Sequence, residues 1–401
     1  MDAVRQHYEA FPYPARDPVD EATRLITGSP SHPVEIDHFL FAGRRDWSQP
    51  FRALVAGGGT GDGLVMLTQK LADLGCPAEV TYIDMSEASR EIAEARIAAR
   101  GLSVRFITGD LLSAPDHGPF DYIDCCGVLH HLPDPDAGFR ALAEALSPDG
   151  GMGLMVYAPH GRSGVYPLQD AFGALFDGLP PGDRIGPARA ALERLPEAHP
   201  FRRNTVVGDH RDGDAGLYDL LLHSRDRAYS VSELTDALDR AGLALAGLLE
   251  PVRYDPMQYL PAEMSGNVKA LDENARRAVG EQLAGNIKTH IAYAVPTGRA
   301  KTVARPTKPD LIPWISGVDP RALAREVQRN GRATVTLDGH GYPISIPAES
   351  AGALAAVGQG RTLEDIARTA GLDWMAFQTA WGPIHRALSG VNLIHYSIGA
   401  R

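Results

Sequence analysis

The chain has 401 residues, 44% of them hydrophobic and 22% charged, with a formal net charge of −11. That is ordinary for a globular protein and long enough for two domains. It is too acidic for whole-surface binding to nucleic acid, and no apolar run approaches the roughly 18–20 residues that span a bilayer.

The first residues, MDAVRQHYEAFPYP, contain no apolar leader core, so a cytoplasmic location is expected. The cysteines are Cys76, Cys125 and Cys126. An adjacent pair in an apolar segment argues against a disulfide framework, and there is no C-x-x-C or iron–sulfur spacing.

The N-terminal stretch to about residue 45 holds short helical pieces around YEAFPYP. From there strands and helices alternate. Strands are predicted at 52–57, 78–85, 103–110, 120–127 and 151–159, and helices at 63–75, 86–101 and 136–150. Ser86 opens the second of these helices, Gly101 closes it, and Ser-Pro-Asp-Gly stops the third. Such alternation implies right-handed βαβ units, a mostly parallel Rossmann-like sheet and a ligand crevice beyond the carboxyl ends of its strands.

The pattern breaks at 161–229, which is rich in Gly, Pro, Arg and Asp around one apolar patch, LYDLLLH. A helix at 230–243 follows, with Ser230 and Glu233 spaced as a capping box. A strand at 244–254, a helical excursion at about 258–286 and a last strand at 289–296 complete the unit. Residues 299–312, basic and Pro-rich, are expected to be a linker. Beyond them, 313–401 carry twelve Lys/Arg against eight Asp/Glu when counted from residue 299, about +4. This small α+β unit has a hairpin turning at Asp338-Gly339 and helices at 362–372 and 374–390, a winged-helix-like pattern.

The chemistry concentrates in LVAGGGTGDGLVMLT, residues 54–68. The glycines at 57, 59 and 61 do not complete G-x-G-x-x-G, and no G-x-x-x-x-G-K-[ST] is present, so neither a dinucleotide nor a P-loop site is expected. G-x-G-x-G permits positive φ and a close backbone approach to a ligand without phosphates. Asp84 ends the second strand, 23 residues after Gly61. A carboxylate there can accept from the two hydroxyls of a ribose. Asp110, or its neighbouring amide, can read an adenine amino group with Met85 and Leu111 against the ring.

These residues resemble the class I S-adenosylmethionine-dependent methyltransferases, well over 50–160 and in outline over 230–296. The resemblance implies a seven-stranded sheet with one antiparallel strand and S-adenosylmethionine as cofactor. It places Gly57, Gly58, Gly59 and Gly61 along the methionine part, Asp84 on the ribose, and Gly109 and Asp110 on the adenine. CCGVLHHLPDP (125–135) resembles the segment after strand four in small-molecule members, with the backbone of Cys126, Gly127 and Val128 facing the cofactor. Many members have an acid two residues before the first glycine. Here that residue is Val55, which leaves the methionine amino group to loop carbonyls, Asp62 or water.

The acceptor is expected to be a small molecule or a peptide with an O- or N-nucleophile. A non-catalytic binder and an RNA methyltransferase clamped by the C-terminal unit are the alternatives. The Asn/Asp-Pro-Pro-Tyr-like tetrapeptide of amino-methylating members is absent: Asp124-Cys125-Cys126-Gly127 stands in its place. Candidate bases are His130, His131 and His223. Tyr8, Phe11 and Tyr13 resemble an N-terminal lid, and Tyr157 and Tyr166 flank the end of strand five. His210, Asp214, Asp219 and His223 match no compact ligand spacing, and no metal site is expected. The C-terminal unit is read as a surface for a second copy, a carrier or a peptide.

Overall fold

In the computed structural model, residues 3–299 and 302–399 are described, and one seven-stranded sheet organises the chain as far as residue 296. Helices α1 (Ala3–Ala10) and α2 (Pro33–Leu40) precede it. Next come β1 (Phe51–Ala56), α3 (Asp62–Asp73), β2 (Ala78–Asp84), α4 (Glu87–Ala99), β3 (Arg105–Thr108), β4 (Phe120–Cys126), α5 (Pro135–Glu144) and β5 (Leu146–Tyr157). Four helices are inserted there: α6 (Val165–Leu175), α7 (Pro181–Glu193), α8 (Pro200–Arg203) and α9 (Gly213–Leu221). Then α10 (Val231–Arg240), β6 (Leu243–Leu248), α11 (Ser265–Lys269), α12 (Glu273–Ala284) and β7 (Thr289–Pro296) close the unit.

The strand order is β3-β2-β1-β4-β5-β7-β6, with β7 antiparallel to both neighbours and the other pairs parallel. This is the Rossmann-like order that the sequence leads one to expect. The chain leaves β1 toward β2 on one side and returns to β4 on the other. A crevice therefore opens where β1 and β4 end.

Strand β1 is buried on both faces, as a central parallel strand requires. Leu54 and Ala56 enter one apolar layer with Ile83 and Ile123, while Ala53 and Val55 enter the opposite layer with Tyr82 and Tyr122. Local chemistry sets the helix starts. The Ser86 hydroxyl accepts from Ser89 N, and Ser230 with Glu233 forms the expected capping box.

Several boundaries move. Helix α5 ends at Glu144, and Ser147-Pro148-Asp149-Gly150 lie inside β5 as a bulge, where the pairing steps from Leu146 to Gly151. A bulge spares the ladder an N–H that proline lacks. Strand β6 stops at Leu248, because Glu250 sits at φ 52° and Pro251 follows. The insertion is helical, and its short helices bury Leu168, Phe172, Phe201, Leu217 and Leu221 together.

The C-terminal unit adds β8 (Ile312–Ile315), α13 (Pro320–Asn330), hairpin β9 (Arg332–Leu337) and β10 (His340–Ser345), α14 (Ala351–Ala355), α15 (Leu363–Thr369), α16 (Trp374–Gly390) and β11 (Ile394–Ser397). The hairpin turns with Asp338 and Gly339 both at positive φ. Strand β8, unforeseen in the sequence, pairs with β11.

The expected linker is packed. Ala304 and Leu311 are buried in the C-terminal core, and Ala42 N donates to Thr302 O. Residues 300 and 301 lie outside the described residues. Helix α2 is buried along its whole length, so the N-terminal 45 residues are not all a loose arm. Its polar residues face β11: Asp37 accepts from the Ser397 hydroxyl at 2.5 Å and His38 Nδ1 from Tyr396 N at 3.1 Å.

Burial pushes the Asp37 carboxyl up to about 7, against the help of Ser397 and the Arg45 amide. An unfolded Asp titrates near 4, so between about pH 4 and 7 the folded chain holds a proton that the unfolded chain has released. The stability that Asp37 contributes is therefore present at low pH and lost as pH rises through that window. Asp37→Asn should remove this term, so the variant gains on the wild type by up to about 1.4 kcal/mol per pH unit across the window. Denaturant melts from pH 5 to pH 8 read this directly, and a pH-independent difference would count against it.

Candidate active site

The turn from β1 into α3 has five residues to reverse the chain. Gly57, Gly59 and Gly61 take it with φ of 66°, 51° and 97°, a left-handed alternation that explains the G-x-G-x-G spacing. A Cβ on Gly57 would lie 2.4 Å from Val128 Cγ2, and one on Gly58 2.5 Å from the Tyr82 ring. The loop is held from below by Tyr82, whose hydroxyl donates to Gly59 O at 2.7 Å. Gly61 packs toward Ala93 of α4 and serves the helix, not the cleft.

Above this loop is a cavity of about 480 Å³, within the range of roughly 300–1,000 Å³ usual for small-molecule sites. Most of the expected cofactor residues line it: Gly57, Gly58, Gly59 and Asp62, then Asp84, Met85, Gly109, Asp110 and Leu111, then Cys126, Gly127 and Val128. Asp84 accepts from Gly59 N and Ser86 N, each at 2.8 Å, so one carboxylate ties the glycine loop to the end of β2. Burial raises its pKa while these amides pull it down. Asp110 caps the turn that follows, accepting from Leu112 N.

Asp62 is committed elsewhere. Its oxygens accept from Arg16 at 2.8 and 2.6 Å and from Arg96 at 2.8 Å. It fastens the N-terminal arm across the cleft. Thr60 donates to Pro14 O, and Glu9 accepts from the first amides of α4, Glu87 N and Ala88 N. Tyr8 and Tyr13 thereby enter the cavity wall with Tyr157. Phe11 instead stacks on Tyr218, and Tyr166 lies beside Arg162; neither lines the cavity.

The histidines separate clearly. His130 is fully buried, with both ring nitrogens unpartnered and its ring against Tyr157, outside the cavity lining. His223 Nδ1 accepts from Arg225 N at 3.1 Å, which leaves its proton on Nε2. His131 Nδ1 lies 2.8 Å from Arg225 O. A carbonyl only accepts, so Nδ1 carries the proton and Nε2 keeps its lone pair. That Nε2 is buried without a partner in a residue lining the cavity. The His131 and His223 rings stack at 3.8 Å.

Asp219 also lines the cavity, accepting from Tyr8 at 3.1 Å and Tyr157 at 3.2 Å, and burial raises its pKa. With His7 and His223 it brings three ligand-type atoms within 4.8 Å. The Arg225 amide already occupies the His223 Nδ1 lone pair and leaves Nε2 a donor, which does not suit a cation. Asp214 is turned away and paired with Arg189.

Sequence reasoning missed Ser31, Asp124 and Met155 in the lining. An acid within the apolar run of β4 was the available signal for Asp124.

Comparison with known proteins finds likenesses over parts of the chain. Residues 54–152 match a family model described as a methyltransferase domain. An uncharacterised protein of Synechococcus, syc1184_c, is 33% identical over 265 residues, 63% of this chain and 61% of that protein. A ubiquinone biosynthesis O-methyltransferase of Stutzerimonas stutzeri is 36% identical over 94 residues, 23% of this chain and 39% of that enzyme. The chain thus spans less than two thirds of the curated relatives it matches. Among solved structures, PKMT2 from Rickettsia typhi has a TM-score of 0.65 at 15% identity, covering 93% of this chain and 76% of that one. The same protein with AdoHcy gives 0.61 at 14%, covering 86% and 71%.

The glycine loop offers a test of its own. Gly57 and Gly75 share a φ of 66°, but a Cβ at Gly75 meets nothing within 4 Å. Gly75→Ala should cost about 1–2 kcal/mol of left-handed strain. Gly57→Ala should cost that and the collision with Val128. Chemical denaturation compares them, and equal losses would mean that the loop has room to give.

Proposed function

We propose that this chain is a class I S-adenosylmethionine-dependent methyltransferase that takes S-adenosylmethionine as its cofactor and methylates an oxygen or nitrogen of a small-molecule or peptide acceptor. The observation that carries the acceptor chemistry is His131 in the cavity lining, its Nδ1 held by Arg225 O and its buried Nε2 without a hydrogen-bond partner.

The cavity fits the cofactor. Its floor is glycine backbone at positions where a side chain would collide, and Asp84 ends β2 at the cavity with a buried carboxylate. In this reading Asp84 takes the ribose hydroxyls, Met85, Asp110 and Leu111 enclose the adenine, and Gly57 to Gly59 run along the methionyl chain. The bound cofactor supplies a methyl group on a sulfonium, a leaving group that needs no proton from the protein.

The chain's own part is to position, to exclude water and to take a proton. Arg225 O orients the His131 ring so that Nε2 can accept the acceptor's proton, and Nδ1–H is already satisfied. Tyr8, Tyr13 and Tyr157 wall the same end, and the pinned arm keeps solvent out.

Isotopically labelled methyl donor with cell extract identifies the acceptor. On that acceptor, His131→Ala should lower turnover by about 10²–10⁴-fold. The affinity for S-adenosylhomocysteine in calorimetry should stay as it is. Turnover that survives the substitution would refute the base. Asp84→Ala should weaken S-adenosylhomocysteine binding by about 1.5–3 kcal/mol, and unchanged affinity would remove Asp84 from the site.

A further inference from the structure

Five carboxylates line the cavity, and only Asp62 meets a cation of the protein among the ion pairs of the described residues. Asp62 meets two guanidiniums, Asp84 two backbone amides and Asp219 two tyrosine hydroxyls, while Asp110 caps a turn. Asp124 differs. It sits in β4 at 2% exposure, and its partners are the Ser31 hydroxyl and the Cys126 thiol. Among the described residues no lysine, arginine or histidine forms an ion pair with it. Burial accordingly raises its pKa. A buried carboxylate served only by neutral donors is costly unless something brings a positive charge to it.

The surroundings point to a ligand as the source. Asp124 stands in register with Val55 of β1, two residues before the glycine loop. The first turn of α3 passes over it: a Cβ on Gly63 would lie 3.3 Å from Asp124 Oδ2 and 2.9 Å from Ser31 Oγ. Glycine at that position keeps the carboxylate in the cavity wall, where Ser31 and Gly63 also appear. Asp84 on β2 and Asp124 on β4 are two strands apart, roughly 9–10 Å across the sheet. One elongated ligand lying along Gly57–Gly59 reaches both.

We propose that Asp124, supported by Ser31, holds the α-ammonium group at the methionyl end of S-adenosylmethionine; this rests on reading the cavity as that cofactor's site. The cofactor has two cationic centres. The sulfonium has no N–H or O–H and cannot donate a hydrogen bond. The ammonium has three N–H donors, and pairing with it gives Asp124 charge and hydrogen bonds together. The ammonium thereby needs no acid at position 55, because the carboxylate comes from the neighbouring strand.

Two ligands separate this role from the general fit. S-adenosylhomocysteine keeps the amino-acid end, and 5′-methylthioadenosine has the same nucleoside thioether without it. By calorimetry, Asp124→Asn should weaken the first by about ten- to a hundredfold and leave the second unchanged. Equal losses for both ligands, or no loss for S-adenosylhomocysteine, would overturn the assignment. If neither ligand binds the wild-type protein, the reading of the cavity fails instead. Should Asp124→Asn not fold, Ser31→Ala serves: a severalfold loss confined to S-adenosylhomocysteine supports the site, and an equal or absent loss refutes it.

Discussion

The guanidinium of Arg96 is the contact on which the cleft depends. The side chain is 1% exposed on α4 and donates to three separate segments: Glu21 at 2.7 Å in the arm, Thr60 O at 2.8 Å in the glycine loop, and Asp62 at 2.8 Å in the first turn of α3. Arg100 closes on the other Glu21 oxygen at 2.5 Å, and Arg16 on Asp62. A glycine-rich loop has little side-chain packing of its own and gains its single conformation from outside. Here the outside support is a buried charge network with both signs present, the condition under which buried charge is tolerable and the removal of one partner is costly. The arm that covers the cleft and the loop that floors it are fixed by the same cation.

Electrostatics inside the cleft follow from the same geometry. Asp62 is neutralised by its arginines, whereas Asp84, Asp124 and Asp219 are buried with pKa values raised by desolvation and only neutral groups donating to them. Arg162, stacked 3.7 Å over Tyr157, is already paired with Asp226 at 2.9 Å. The wall therefore attracts a cationic guest over a neutral one of the same shape, and the preference is strongest where water is excluded. A sulfonium with an ammonium at its far end has that charge distribution.

What the sequence disclosed, and what it hid, divides along physical lines. Alternating glycines, an acid at a strand end and a histidine pair after β4 leave marks in residue type, because left-handed backbone and exposed strand ends restrict what can stand there. The expected residues 57–59, 84–85, 109–111 and 126–128 do converge on one cavity. Ser31 leaves no such mark: it reaches Asp124 from 93 positions away in the chain. Residues 302–311 have a linker's composition, but Ala304, Pro306 and Leu311 are buried between more exposed neighbours and anchor the segment. The helices at 165–221 are short and interrupted by Gly and Pro, so periodicity could not find them; they are held by the core they share.

His130 and His131 are neighbours of one residue type, and no pattern chooses between them. The choice is made by a peptide unit almost a hundred residues later. Arg225 presents its N–H to His223 Nδ1 and its C=O to His131 Nδ1, so one residue's backbone imposes opposite tautomers on two stacked imidazoles. His223 becomes a donor at Nε2, toward Tyr8, and His131 an acceptor at Nε2. Backbone groups do not titrate, so the two orienting partners themselves do not change with pH. The segment that delivers residue 225 thus orients both rings as well as walling the pocket. A shift of that segment would loosen both imidazoles at once, because each is held by the same residue.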